Sequence, residues 1–310
     1  RQMCIRDRGC PHPLIMAYLT AVQGRLALYP RRLVMGLLDG QYTAMTSGRS
    51  LDFDDLRSYV RGDDVKDIDW KSSARSGELL VKRYRAERRH TFAFVVPAGG
   101  PLAGAATLTQ SKADVVLAAI GVLAWVACRH GDYVTVVAPG PSGPSVARPS
   151  YRDTQIEHML AGVDAGCRLE APEPDLSELF DLAATGLRRR GIVVVVLDDW
   201  DPYPDDVDAL ARLCARHEVL AIEVSDLDVT DPALAAVPTR DQASGRAVPG
   251  FVPRDRRVRQ QFTAAQQERA RRRSQTLDRL GVIHESVADV DDSVAAIVRL
   301  LERMRHASRR

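Results

Sequence analysis

The sequence predicts an α/β fold: a mostly parallel, Rossmann-like sheet with helices on both faces, plus an N-terminal helix and an inserted β-element. Near-continuous Val/Ile/Leu runs recur at Thr91 to Val96, Tyr133 to Ala138, Ile192 to Leu197 and Val219 to Val224. Segments of helical length separate them. Strands apolar on both faces belong to sheets covered on both sides. With 310 residues, 45% of them hydrophobic, the chain is long enough to bury such a core.

Taken in order, residues 1–15 read as a sequencing-adapter scar and untranslated lead, Arg1-Gln2-Met3-Cys4-Ile5-Arg6-Asp7-Arg8, with Met16 as a natural start. A truncated chain would hide any upstream membrane anchor. Ile15 to Leu38 is amphipathic, with Leu19, Val22, Leu26, Leu33, Leu37 and Leu38 at near-helical spacing, a break at Pro30 and a stop at Gly40. Gly48 to Gly77 is charged and lacks helical periodicity, which predicts extended and looped backbone. Glu78 to Arg85 reads as a short strand. Residues 16–89 thus form an N-terminal helix and β-element, and residues 90–310 the α/β domain.

Within that domain the first strand is followed by an apolar helix, Gln110 to Arg129, that ends at Gly131. After the second strand, the turn Pro139 to Pro144 leads to a hairpin partner at Ser145 to Ala147. Helices follow at Arg152 to Val163, Leu176 to Arg189 and Asp205 to Arg216. A loop with short strands fills Asp226 to Pro253. Arg254 to Leu280 is a long polar helix, Val282 to His284 a strand, and Asp291 to Arg305 the last helix.

Composition narrows function. A net charge of +2 creates no field that demands nucleic acid or anionic lipid, and 5% aromatics leaves few base-stacking platforms. Five cysteines without a CxxC pair argue against a disulfide scaffold or structural zinc and favour a reducing compartment, hence a cytoplasmic or membrane-peripheral location. The longest apolar run, Val115 to Cys128, rises about 1.5 Å per residue and falls well short of a hydrocarbon layer of roughly 30 Å. No HExxH, nucleophile elbow or P-loop occurs, and no cofactor is expected. Gly99-Gly100 after a strand suggests a phosphate cradle only weakly, because Pro97 and Pro101 remove donors.

The segment Gly62-Asp63-Asp64-Val65-Lys66-Asp67-Ile68-Asp69-Trp70-Lys71 is the most distinctive. Gly48, Phe53, Leu56, Arg57 and Tyr59 precede it; Ser73-Ala74-Arg75 and Val81-Lys82 follow. This resembles the signature of the bacterial domain of unknown function 58 family, with Lys66 where that family usually has Arg. The resemblance implies a von Willebrand A-like sheet carrying the signature on an inserted β-element. It also implies a MoxR-type AAA+ ATPase as partner, unknown clients and no defined catalysis.

Von Willebrand A domains commonly bind a divalent ion through a D-x-S-x-S loop after the first sheet strand. Here those positions are Pro97-Ala98-Gly99-Gly100-Pro101, without a side-chain oxygen. Asp175 stands where a Thr is expected, and Asp198 and Asp199 remain on the third loop. Such a set makes a poor cage for a hard cation, so no metal is expected. Loop solvation and helix capping account for Asp198 and Asp199.

Two readings compete for Arg57, Tyr59, Gly62, Asp63, Asp64, Lys66, Asp69, Trp70, Ser73, Arg75 and Lys82. In the first, which carries more weight, Asp69, Arg75 and Asp63 form a partly buried ion-pair network and Trp70 anchors in the core. In the second, the signature is a docking surface for the ATPase. A metal-dependent nuclease using Asp63 or Asp64 with Asp69 and Lys71 is a rival, weakened by the short spacing. The arginines of Arg254 to Arg273 could touch nucleic acid, although a solvated helix face explains them more simply. The expected function is therefore a non-enzymatic adaptor.

Overall fold

The computed structural model describes residues 17–28, 38–40, 42, 53–60, 63, 65, 68–84, 89–242 and 245–307. The sequence expectations for residues 1–16 and for Gly48, Gly62, Asp64 and Lys66 lie outside these. So do those for the Pro30 break and the side chain of Lys82.

A six-stranded sheet organises the molecule. Its strands are β3 (Thr91–Val95), β4 (Tyr133–Gly140), β5 (Gly143–Val146), β6 (Ile192–Asp198), β7 (Glu218–Val224) and β8 (Ile283–Val287). The spatial order is β5-β4-β3-β6-β7-β8, and every pairing is parallel except β4 with β5. Chain direction across the sheet therefore reverses between β3 and β6. That is the topological switch point of a doubly wound fold, with a crevice at the carboxyl ends of the strands.

Side-chain alternation along the strands builds a core on each face. Phe92, Phe94, Ile192, Val194, Val196, Leu220 and Ile222 pack with α4 (Lys112–Arg129), α5 (Asp153–Gly166) and α9 (Ser293–Ala307). Ala93, Val95, Val193, Val195, Leu197, Val219 and Ala221 pack with α6 (Leu176–Gly186), α7 (Pro204–Arg216) and Leu277 of α8 (Arg256–Arg279). Phe92 to Val95 of β3 and Ile192 to Leu197 of β6 are apolar because both faces of these strands are covered.

Local signals set the helix ends. Ser111 and Asp114 form a reciprocal capping box at the start of α4, and Asp175 and Asp255 cap α6 and α8. Gly131 and Gly281 take positive φ just beyond α4 and α8. The N-terminal helix α1 (Ala17–Leu28) lies on the first face, burying Leu19 and Val22. Its first amides, on Tyr18 and Leu19, donate to the buried Glu157 carboxylate of α5 at 3.1 and 2.6 Å. An anion is favourable at that end of a helix. Tyr42 stacks on Phe92 at 5.4 Å and donates its hydroxyl to Asp132.

Two segments depart from the sequence expectation. Part of the Gly48 to Gly77 stretch is helical: α2 (Trp70–Ser76) runs between an Asp69 N-cap and Gly77 in the left-handed region. Its caps define it, since seven residues are too few for periodicity to show. The loop after β7 holds a 3₁₀ turn at Pro232–Ala236 and one isolated bridge, Arg240 to Ala247, in place of short strands. No helix among the described residues is long and apolar enough to cross a membrane.

Candidate functional site

Two regions hold the predicted site residues. The first is an antiparallel pair, β1 (Phe53–Ser58) with β2 (Leu80–Tyr84), joined through α2. Ile68 bridges to buried Val81, and the Asp69 amide donates to the Leu80 carbonyl at 2.9 Å. Asp69 also caps α2 by accepting from the Ser72 amide at 3.0 Å. Ser73 is buried, and its hydroxyl oxygen accepts from the Leu80 amide at 2.8 Å. The Arg57 guanidinium grips Asp63 with two bonds, 2.8 and 2.6 Å, and the Val60 amide adds a third at 2.9 Å. These donors hold the Asp63 carboxyl below its usual range, Arg57 chiefly.

Among the described residues, Asp63 pairs with Arg57, Asp69 caps α2, and Arg75 is exposed. Trp70 is no core anchor: it is 62% exposed at the first position of α2. Val60, Val65 and Leu79 of the same unit are exposed as well, Val60 at 61% and Val65 at 59%. Tyr59 is half-buried and its amide donates to the Leu79 carbonyl at 2.8 Å. Lys71 stands exposed in the first turn of α2.

The second region is the crevice where β3 and β6 diverge. Residues Pro97 to Gly100, which lead into the short helix α3 (Gly100–Ala103), are buried beneath the segment 169–174. A Cβ on Gly99 would lie 2.6 Å from the Pro172 carbonyl oxygen, and one on Gly100 2.6 Å from that of Ala171. The paired glycines serve this close backbone approach, which corrects the phosphate-cradle reading.

Asp198 and Asp199 point to opposite faces of the sheet, as neighbours at a strand end must. Asp198 accepts from the Lys112 ammonium at 2.8 and 2.7 Å, and the same ammonium reaches Asp226 beyond β7. Burial pushes the Asp198 carboxyl up to about 6, against the pull of Lys112 and with a further push from Asp226. Burial lowers the affinity of Lys112 for its proton, but the two carboxylates overcome it and the net shift is upward. The ammonium stays charged.

Asp199 adopts φ 28°, the left-handed region in which Asp is among the better tolerated residues. Its carboxylate meets Arg273 at 3.3 Å and Arg269 at 3.4 Å, both from α8. Arg273 is buried and also binds Glu223 of β7, whose other oxygen lies 2.7 Å from His284 Nδ1. Ion pairing therefore replaces the expected solvation and capping at Asp198 and Asp199. Of Asp175, Asp198 and Asp199, Asp175 alone caps a helix, accepting from the Glu178 amide at 3.2 Å and the Ser177 hydroxyl at 2.7 Å. The three acidic positions thus have separate partners and do not converge. Among the described residues no three of His, Cys, Asp and Glu are grouped to hold a metal ion.

The arginines of α8 divide in use. Arg273 is structural, and Arg271 and Arg272 face Glu268 at 3.9 and 3.2 Å on the exposed side. Sequence reasoning missed Lys112, Glu223 and Asp226. Two signals were present: a lysine at the first position of an otherwise apolar helix, and a glutamate inside the strand Val219 to Val224.

The fold and these sites define a doubly wound α/β protein with an N-terminal signature hairpin and a crevice filled by its own charges. The family model described as "Protein of unknown function DUF58" matches residues 55–272, more than half of the chain, and the protein belongs to this family. It is similar to the uncharacterized protein Rv1480 of Mycobacterium tuberculosis (strain H37Rv), 29% identical over 232 residues, covering 73% of this chain and 72% of the relative. The uncharacterized protein Mb1516 of Mycobacterium bovis matches to the same extent.

Proposed function

We propose that the protein is a non-enzymatic binding protein that acts with a MoxR-type AAA+ ATPase and contacts it through the signature hairpin. One observation carries this reading. Trp70 projects into solvent from a short helix whose caps are fixed by Asp69 and Gly77. A large aromatic held rigidly outside the core is the residue type that most often dominates binding energy at interfaces. Lys71 and Arg75 are exposed beside it and add charges suited to a polar rim. Of the carboxylates that a nuclease would need, Asp63 is held by Arg57 and Asp69 accepts from the Ser72 amide.

Affinity capture with the purified full chain tests this. The MoxR-type ATPase of the same genome binds the wild type. Trp70→Ala, with an unchanged circular dichroism spectrum, binds at least about tenfold more weakly, the equivalent of roughly 1.4 kcal/mol. Failure to retain any such ATPase, or equal binding by Trp70→Ala, removes the reading. Mg²⁺-dependent nuclease activity lost in Lys71→Ala would replace it.

A further inference from the structure

We propose that Lys112 is a built-in cation: its ammonium occupies a seat that Asp198 and Asp226 would otherwise present to a divalent metal ion. Asp198 ends β6 and Asp226 stands just beyond the adjacent strand β7, beside the switch point. That end of a doubly wound sheet is where ligands are commonly held. The ammonium lies between them, and the lysine side chain is only 5% exposed. Lysine is almost never buried unless paired.

The local chain is arranged around this lysine. Lys112 is the first residue of α4, where the helix dipole disfavours a cation. Only the carboxylates make that position favourable. Gly104 leaves room for the end of the side chain: a Cβ there would lie 3.3 Å from Lys112 Cε. The Lys112 amide donates to the Gly104 carbonyl at 2.8 Å, and the Leu227 amide to the Ala105 carbonyl at 2.9 Å. These two bonds tie the loop carrying Asp226 to the turn that holds the lysine. The upward shift of the ammonium supports a fixed charge over a nucleophilic amine, which would need its proton removed.

Removing the ammonium leaves two hard oxygen donors facing one space, the ligand chemistry of Mg²⁺, Mn²⁺ or Ca²⁺. Thermal unfolding of the full chain with and without about 10 mM of each chloride reads this out. A metal that binds only the folded state raises Tm by roughly 2–4 °C when it binds in the millimolar range. Lys112→Ala shows that rise, the wild type shows none, and adding Asp226→Asn to the variant abolishes it.

A folded Lys112→Ala that responds to none of the three ions overturns the proposal, as does an equal response of the wild type. If Lys112→Ala does not fold, Lys112→Gln replaces it in the same series. On the wild type itself, the ¹⁵N ammonium signal of Lys112 exchanges slowly with solvent and is unmoved by Mg²⁺. Exchange as fast as that of surface lysines refutes a seated cation without any variant.

Discussion

Replacing Arg273 with Met keeps an apolar stem and removes the guanidinium. In the wild type its Nε binds Glu223, and its Nη1 lies 3.3 Å from Asp199 and 3.2 Å from the Trp200 carbonyl oxygen. Glu223 is buried in β7, so the variant leaves that charge with His284 as its partner. Removing one member of a buried pair costs about 3–5 kcal/mol. At roughly 2–4 °C per kcal/mol, the fall in Tm is about 6–20 °C. Thermal unfolding followed by circular dichroism measures it.

The pH dependence gives a second reading of the same contact. Burial works against the Glu223 charge, but hydrogen bonds from His284 and Arg273 hold its carboxyl below the usual range. That stabilisation is present above the ordinary carboxylate pKa and fades as pH falls through the lowered value. The Glu223 bond is the main cause that raises His284, so its contribution is full below the ordinary imidazole pKa and fades as pH rises through the raised value. In Arg273→Met the imidazolium carries the pairing alone, and the deficit grows from pH 6 to pH 9. A loss under about 1 kcal/mol, as for an exposed pair, or a deficit flat across that window refutes the argument.

Three further outcomes are expected. Ionising Asp198 costs stability, because its folded pKa of about 6 stands above the unfolded value: its contribution is whole at low pH and lost as pH rises through 6. The stability of Asp198→Asn relative to wild type therefore improves by roughly 2.5 kcal/mol between pH 4 and pH 8, measured by urea titration. Gly191→Ala brings a Cβ to 2.7 Å from the Thr91 carbonyl oxygen, a backbone atom that cannot swing aside. It loses roughly 1–3 kcal/mol by the same assay. Asp69→Ala removes the α2 cap and costs about 1 kcal/mol, read best as faster amide hydrogen exchange across residues 70–76.

The sheet was legible in the sequence because strands buried on both faces must be apolar along their whole length, as Phe92 to Val95 and Ile192 to Leu197 are. Helices such as α4 and α6 were legible through length and period, and the Asp175 position through its place before α6. Short elements were not: α2 is written in its caps, Asp69 and Gly77, and these look like ordinary loop residues. Exposure was the other blind spot. The sequence favours burying Trp70, since tryptophan usually goes inside, and nothing in Asp69-Trp70-Lys71 says which way the indole turns. Ion pairs across the fold, such as Lys112 with Asp198, were invisible because their partners lie far apart in sequence and meet only at the switch point.

Four acidic groups at the crevice end of β6 and β7 meet cations of the same chain. Asp198 and Asp226 take Lys112 from one face of the sheet, while Asp199 and Glu223 take Arg269, Arg273 and His284 from the other. Matched in this way, the carboxylates brace α4 and α8 against the strand ends. The hairpin shows the opposite pattern: Asp63 and Asp69 find donors within a few residues, while Val60, Val65, Trp70 and Leu79 are exposed. Burying Trp70 against a partner would recover roughly 2 kcal/mol or more of hydrophobic free energy that folding alone leaves unused.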